Sequence, residues 1–210
     1  MTDARESWGD WYEKVEGDVD PAVVELREQL EEEDKDSVLD VGCGAGRHLL
    51  YLTQNEFDAH GFDFSESAVA KLKEKLDELG AEADVQVADM AEKFPYDGEQ
   101  FDAVLAIRSI HHADLSTINH SVDEIFRVLR SSGLIYVQVP TYEKLEKLQG
   151  DGEEFEEVEP GTNIPLEGPE EGVPHHNFKR EEVHEIFSDF EIEDLDKRDD
   201  HYNLLARKLS

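Results

Sequence analysis

The sequence predicts an α/β fold, in which a doubly wound, mostly parallel sheet of seven strands has helices on both faces and an antiparallel C-terminal hairpin. Three observations lead to this prediction. Short apolar runs alternate with amphipathic segments of helical length, which is typical of parallel strands joined by crossover helices. A glycine-rich turn, GCGAG, directly follows the first apolar run. The last two apolar runs have no helix between them, so they are expected to pair as a hairpin.

The individual elements follow from periodicity and capping signals. Pro21 at the start of the first helix suits the first helical turn, while Ser65 and Gly80 are expected to cap the two ends of the third helix. The run 101–107 is apolar at nearly every position, which indicates a central strand covered on both faces. The predicted strands are 37–41, 58–63, 83–88, 101–107, 134–139, 190–195 and 202–208, and the predicted helices are 21–32, 47–55, 65–80, one within 114–130, and 179–188.

The composition is strongly acidic, with 53 Asp and Glu residues against 20 Lys and Arg residues and a formal net charge of -33. Such a surface repels itself at low ionic strength, whereas molar salt shortens the screening length to about 3 Å. We therefore expect a halophilic protein, adapted to a salty cytoplasm. Disorder is the competing interpretation, but 38% hydrophobic residues in periodic patterns argue against it.

The sequence also argues against several kinds of partner and site. No basic patch is present that could follow a phosphate backbone, which disfavours nucleic acid. No window approaches the roughly 20 apolar residues that span a bilayer, and the N-terminal stretch lacks a signal-peptide pattern, so a cytoplasmic protein is expected. Cys43, the one cysteine, can form no internal disulfide and is expected to fill space inside the glycine turn.

The glycine turn and an acid on the next strand together indicate a nucleotide site. Helix N-termini at the carboxyl edge of a parallel sheet attract ligands, and glycines allow the backbone to approach them. Asp63 ends the second predicted strand, 17 residues beyond Gly46. A carboxylate at that position can accept hydrogen bonds from the two ribose hydroxyls of a nucleoside.

Five segments, in order and spacing, resemble the motifs of class I S-adenosylmethionine-dependent methyltransferases: VLDVGCGAG, GFDFSESAV, VQVADM, FDAVLAIRSIHH and IFRVLRSSGLIYV. The resemblance covers roughly residues 35 to 140, and the C-terminal part is similar to small single-domain members of the tellurite-resistance and thiopurine type. It implies a Rossmann-like fold and S-adenosylmethionine as the cofactor. The family usually has Pro-Gly-Gly before the fifth strand, where this chain has Ser131-Ser132-Gly133; Gly133 is expected to keep the position with unusual backbone angles.

The resemblance also assigns the cofactor site residue by residue. It places Asp63 at the ribose, Phe64 beside the adenine, and Asp89 with Met90 at the amino edge of the adenine. Two of these residues have other interpretations, since Met90 can belong to the core and Asp89 can cap a turn. The remaining residues assigned to the cofactor site are Asp40, Gly42, Gly44 and Gly46, around the methionine part, and Ile107 at the end of the fourth strand.

A single domain over residues 1–210 is expected from the length. Its parts are an N-terminal lid and helix (1–33), a cofactor-binding core (35–140), a loop-rich insert (141–178), and a C-terminal helix with a hairpin (179–210). The stretch 150–174 is rich in glycine, proline and acids, which predicts loop rather than packed structure. Trp8, Trp11 and Tyr12 either cover the cofactor as a lid, which we favour, or pack on the outer face of the sheet.

Two other functions fit parts of the sequence. A nicotinamide dehydrogenase shares the turn and the ribose acid, but Arg47 stands where its G-x-G-x-x-G fingerprint requires the last glycine. A protein that binds S-adenosylmethionine without catalysis, as a partner or regulatory subunit, is the alternative from a different class.

The acceptor is expected to be a small molecule. Residues 107–110, Ile-Arg-Ser-Ile, replace the Asn/Asp-Pro-Pro-aromatic motif that many family members acting on nucleic-acid or protein nitrogens carry, and no second cysteine offers a nucleophile. His111 and His112 follow the fourth strand, where one of them could act as the catalytic base while the other faces away. His175 and His176 raise the possibility of a metal site with that pair, but the resemblance implies no metal.

Overall fold

The structure is a computed structural model that describes residues 18–168 and 170–209. The main sheet comprises β1 (Ser37–Val41), β2 (Asp58–Asp63), β3 (Asp84–Val87), β4 (Phe101–Ile107), β5 (Leu129–Pro140), β9 (Phe190–Arg198) and β10 (His201–Lys208), while β6 (Phe155–Glu159), β7 (Thr162–Pro165) and β8 (His175–His176) form a second, smaller sheet. Trp8, Trp11 and Tyr12 lie outside the described residues.

The order of strands in the main sheet is β3-β2-β1-β4-β5-β10-β9. Strands β1 to β5 run parallel, and β10 is antiparallel to both β5 and β9. The predicted fold class is therefore confirmed. The order reverses between β1 and β4, and ligands of such sheets bind in the crevice beyond the carboxyl ends of the strands at that switch point.

Within residues 18–168 and 170–209, six helices accompany the strands: α1 (Pro21–Glu32), α2 (Arg47–Gln54), α3 (Glu66–Leu79), α4 (Leu115–Val128), α5 (Tyr142–Gly150) and α6 (Arg180–Ile186). The predicted caps of α3 are confirmed, since the Ser65 side chain accepts a hydrogen bond from the Ala68 N–H and Gly80 ends the helix at φ 62°. None of the helices in the described ranges is long and apolar enough to cross a membrane.

Two hydrophobic clusters cover the two faces of the main sheet. Ala103 and Leu105 of β4 belong to one cluster, while Val104 and Ala106 belong to the other, because successive side chains of a strand point to opposite faces. The first cluster packs on α1, α2 and α3, and the second on α4 and α6. Every residue of β4 is buried, as predicted for a central strand.

The prediction that 150–174 is loop rather than packed structure is wrong, because this stretch contains β6 and β7 and pairs through β7 with β8. The helix α5, which begins after the N-cap residue Thr141, was also not predicted. Most of β6 is exposed, so its sequence FEEVE lacks the apolar alternation by which a half-buried strand is recognised. The insert 141–178 is thus built from one helix and a three-stranded antiparallel sheet.

The turn inside β5 also differs from the prediction. Ser132, not Gly133, has the left-handed backbone, with φ 62°. A Cβ atom on Gly133 would lie 2.9 Å from the Arg130 carbonyl oxygen and 3.1 Å from that of Asp102. Glycine at position 133 therefore allows two backbone segments to approach closely.

Candidate functional site

The glycine turn after β1 forms one wall of the crevice at the switch point. Gly42, Gly44 and Gly46 have φ values of 70°, 53° and 83°, a region that glycine enters without steric cost. A Cβ atom on Gly42 would lie 2.5 Å from the Cβ of Ser109, which follows β4. Glycine at position 42 thus lets the ends of β1 and β4 come together.

Gly46 has a packing role. A Cβ atom at this position would lie 2.2 Å from Cδ1 of Leu72 in α3, so the glycine permits α2 and α3 to pack closely. Cys43, in the same turn, is buried as expected, and burial raises the pKa of its thiol. Its side chain would touch a Cβ atom on Gly61 of β2, which is consistent with a space-filling role.

Asp63 holds the turn in place from the end of β2. Its Oδ2 accepts a hydrogen bond of 2.9 Å from the Gly44 N–H, and its Oδ1 accepts one of 2.9 Å from the Ser65 N–H. The side chain is buried. Each carboxylate oxygen can accept a further hydrogen bond, so this role is compatible with binding a ribose.

Asp40, one strand away, is a buried acid with an unsatisfied oxygen. It is 3% exposed, and its Oδ2 has no hydrogen-bond partner. Burial raises the pKa of Asp40 to about 7, the charge of Arg47 opposes this shift, and the charge of Asp63 adds to it. A carboxyl group that lacks a partner in a buried glycine-lined turn is suited to a cationic or hydrogen-donating ligand group.

A cavity of about 220 Å³ occupies the crevice. It is bordered by residues from the glycine turn, the ends of β2 and β4, the segment after β3, and the insert. The lining residues are Gly42, Phe62, Asp63, Phe64, Ala88, Asp89, Met90, Arg108, Ser109, His112, Gly172, Val173 and Pro174. Six of the residues predicted for the site are among them: Gly42, Asp63, Phe64, Asp89, Met90 and His112.

The other predicted residues do not line this cavity. Ile107 packs in the core cluster on the α1 side of the sheet, because the alternation of β4 turns its side chain away from the crevice. Asp40, Gly44, Gly46 and His111 are buried and are not among the lining residues. Asp40 and Gly44 still contribute indirectly, through the charge near Asp63 and the hydrogen bond to it.

Asp89 and Met90 each have the structural role that the sequence offers as the alternative, and both also border the cavity. Asp89 Oδ1 caps a turn by accepting a hydrogen bond of 2.9 Å from the Ala91 N–H, and the residue is exposed. Met90 packs against the core while it also borders the cavity, and its carbonyl accepts a hydrogen bond from the Ser121 hydroxyl.

His112 borders the cavity and His111 does not, but the two rings do not alternate across an extended strand as expected. Their ring centroids are 3.9 Å apart with an interplanar angle of 40°. The chain has already left the extended conformation, as the His112 N–H donates to the Ser109 carbonyl in a turn. Burial lowers the pKa of His112 to about 3, with His175 as the next contribution, and burial also lowers the pKa of His111 well below its ordinary value. Both rings are therefore neutral near pH 7. Neither matches the expected catalytic base with an imidazole pKa near 6.5.

The histidines of the insert separate into two environments. His175 lies beside His112, with ring centroids 4.7 Å apart, and its Nε2 is 3.2 Å from Oε2 of Glu170. His176 is buried elsewhere, where its ring nitrogens contact Thr162 and Glu182. Its backbone N–H donates to the His111 carbonyl at 2.8 Å, which ties the insert to the turn after β4.

Arg108 and Glu170 were not predicted as site residues. Arg108 has a left-handed backbone, φ 53°, and its Nε donates to Oε1 of Gln138 at 2.6 Å. Such a conformation in a residue other than glycine often marks a functional position, but the sequence carries no local signal for it. Glu170 is one acid among many in an acidic stretch, and only the fold brings it to the histidines.

The geometry of the turn, Asp63 and the switch-point cavity agrees with the comparison to known families. Residues 38–133 match the methyltransferase domain family. The matched residues run from β1 into β5 and include the glycine turn, Asp63 and the segment after β4. The match therefore places a methyltransferase-like sequence on the elements that form the crevice.

Individual proteins are similar to this chain over parts of its length. The 27-O-demethylrifamycin SV methyltransferase of Amycolatopsis mediterranei is 31% identical over 134 residues, which are 60% of this chain and 47% of that protein. The chain spans less than half the length of the curated relatives that it matches.

Solved structures share the fold at low sequence identity. The PH0226 protein of Pyrococcus horikoshii has a TM-score of 0.72 and 21% identity, covering 87% of each chain. The 1,6-didemethyltoxoflavin-N1-methyltransferase of Burkholderia thailandensis, solved with that substrate and S-adenosylhomocysteine, has a TM-score of 0.68 and 18% identity, covering 90% of this chain and 77% of its own. This likeness concerns the fold alone.

Proposed function

We propose that the protein is an S-adenosylmethionine-dependent methyltransferase that transfers the methyl group to a small-molecule acceptor by direct displacement. The observation that carries the proposal is the cavity at the switch point, bordered by Gly42, Asp63 and Phe64, within a segment that matches the methyltransferase domain family. When bound, S-adenosylmethionine supplies an electrophilic methyl group.

The residues present fit this cofactor. The unsatisfied Oδ2 of Asp40 suits a cationic amino group nearby, and the buried carboxylate of Asp63 suits a diol. Phe64 and Met90 offer apolar surface for a flat ring, with Asp89 at its edge. Gly42 keeps the backbone free of a side chain where the ligand approaches.

The acceptor half of the cavity is formed by the segment after β4 and by the insert. Ser109 and His112 lie on one side, while Val173 and Pro174 supply apolar surface that excludes water. A neutral His112 can orient an acceptor by a hydrogen bond, but the low pKa of its ring makes it a weak proton acceptor. We therefore expect acceptors that attack in an already deprotonated form, such as a thiolate.

A small acceptor is consistent with the small molecules in the names of the two methyltransferases compared above. The test is a screen of small thiols, phenols, amines and metalloid anions with labelled S-adenosylmethionine in about 2 M KCl. Turnover of a small acceptor supports the proposal. Binding of the cofactor without turnover of any acceptor favours the non-catalytic binding protein instead.

A further inference from the structure

A group of metal-ligating side chains stands where the insert meets the turn after β4. His112, Glu170 and His175, here called the His-Glu-His cluster, are each half-buried and place ring nitrogens and carboxylate oxygens within 4.8 Å of one another. His112 borders the switch-point cavity, and Glu170 and His175 border a second cavity of about 430 Å³. The cluster thus forms part of the wall between the two cavities.

The distances suit a shared cation. Nε2 of His175 is 3.2 Å from Oε2 of Glu170, and Nε2 of His112 is 4.0 Å from Oε1 of the same carboxylate. Two ligand atoms bound to one tetrahedral ion at about 2.1 Å lie about 3.4 Å apart. Small side-chain rotations therefore bring all three groups to coordination distance, without any change in the backbone.

The tautomer of His175 supplies an independent argument. Its Nδ1 lies 2.9 Å from the Val173 carbonyl oxygen, which can only accept, so Nδ1 carries the proton. Nε2 is buried without a hydrogen-bond partner of good geometry and faces the Glu170 carboxylate. With the proton on Nδ1, Nε2 is the ring nitrogen left to bind a cation placed between the imidazole and the carboxylate. Metal-binding histidines are commonly oriented by such a hydrogen bond from the other ring nitrogen to a carbonyl.

Two of the three ligands are anchored by backbone hydrogen bonds. His175 lies in β8, opposite Asn163 of β7, and the following residue, His176, donates to the His111 carbonyl. His112 is held in its turn by the hydrogen bond from its N–H to Ser109. The two imidazoles are thus brought together by the fold before any ion binds, which lowers the entropic cost of forming a site.

We propose that His112, Glu170 and His175 bind one divalent transition-metal ion of the Zn²⁺ or Fe²⁺ class. Two imidazole nitrogens and one carboxylate favour such ions over Mg²⁺ and Ca²⁺, which prefer ligand sets of oxygen alone. A site of four histidines, His111, His112, His175 and His176, is not favoured by the sequence, and the structure separates His176 from the others. An ion at the cluster would border the acceptor half of the cavity. This consequence rests on the proposed function, whereas ion binding itself does not.

The test uses the full-length protein, freed of metal by a chelator and kept in about 2 M KCl so that surface acids are screened. Zn²⁺ and Co²⁺ are titrated by calorimetry, and excess Mg²⁺ serves as a competitor. We expect one ion per chain, unaffected by Mg²⁺, with affinity reduced at least tenfold in His175→Gln and in Glu170→Gln. Glu171→Gln and His184→Gln, which replace exposed residues outside the cluster, should leave the affinity unchanged.

X-ray absorption of the Zn²⁺-loaded wild type provides a second measurement that needs no variant. The proposal expects two imidazole ligands with oxygen or nitrogen in the remaining positions. It is overturned if no stoichiometric ion binds, if the cluster variants bind as tightly as the wild type, or if the bound ion has no imidazole ligand. None of these readouts requires turnover or cofactor, so the metal site can fail while the proposed methyltransferase function stands.

Discussion

The glycine turn after β1 and the insert 141–178 border the same cavity, but different kinds of contact hold them. The turn is fixed by the adjacent strand, since the N–H groups of Gly42 and Cys43 both donate to the Phe62 carbonyl. The insert is fixed by contacts between residues distant in sequence, such as the hydrogen bond from the Leu115 N–H to Glu159 Oε1. We infer that changes in the turn affect folding and cofactor binding together, whereas the insert can change without loss of the cofactor site.

The largest effect is expected for Gly46→Ala. The substitution combines a left-handed backbone with a Cβ atom 2.2 Å from Leu72 Cδ1. We expect the free energy of unfolding to fall by about 2 to 4 kcal/mol, measured by urea titration in molar KCl. Gly80→Ala is the matched control, because its φ is 62° but open space surrounds it, and it should cost only about 1 kcal/mol. Equal losses would show that close packing at Gly46 contributes nothing.

The salt concentration should affect the stability of the insert more than that of the glycine turn. We propose that the net charge of -33 is an adaptation to high salt, and the insert carries a dense share of the acids with little apolar packing of β6. The melting temperature should rise markedly between about 0.1 and 2 M KCl. Hydrogen exchange should show that low salt opens residues 155–165 before β1 and β4. A melting temperature that does not change with salt would contradict the adaptation.

Asp63→Ala tests the turn side of the comparison. It removes the acceptor for the Gly44 and Ser65 N–H groups and for the proposed ribose. We expect the affinity for S-adenosylmethionine to fall by about 1.5 to 3 kcal/mol in calorimetry. Asp123→Ala, at an exposed position on α4, should leave the affinity unchanged. His112→Gln, on the acceptor side, should change the binding free energy by only a few tenths of a kcal/mol. An equal loss in His112→Gln would remove the distinction between the two sides.

A smaller effect, on the pH dependence of folding stability, is expected at Asp40. Its pKa in the folded state is about 7, above the ordinary value of 3.8, with Arg47 and Asp63 as the neighbouring charges. Between about pH 4 and pH 7, Asp40 keeps its proton in the folded state and loses it in the unfolded state. The free energy of unfolding therefore falls as pH rises through this range. Asp40→Asn should reduce that decline by about 1 to 3 kcal/mol, measured as the difference between wild type and variant across the range. A difference that is constant with pH would contradict the raised pKa.

Features set by neighbouring residues could be predicted from the sequence. The first strand with its glycine turn, the caps Ser65 and Gly80, and the buried β4 all have local signals, and they were predicted correctly. The strands of the insert were missed because they are polar or very short, as β8 shows with two residues. No local pattern marks a turn rather than an extended strand at His111 and His112, so their stacking could not be anticipated.

The residues of the candidate site likewise fall into those with a local sequence signal and those without one. Asp63 and Gly42 were predicted because each ends or follows a recognisable strand. Glu170 and Arg108 were missed because their positions depend on how the insert and β5 pack, through contacts such as that of Arg108 with Gln138. The side chain of Ile107 packs in the core because the alternation of β4 decides which face it covers, and its role at the cofactor stays a prediction.

The assignment of the switch-point cavity to S-adenosylmethionine is tested by calorimetry of the wild-type protein with this cofactor in molar KCl. The account predicts saturable binding of one molecule per chain with a dissociation constant in the micromolar range, about -7 to -8 kcal/mol, and no binding of NAD. No heat with S-adenosylmethionine, together with saturable binding of NAD, would contradict the assignment of the switch-point cavity to this cofactor.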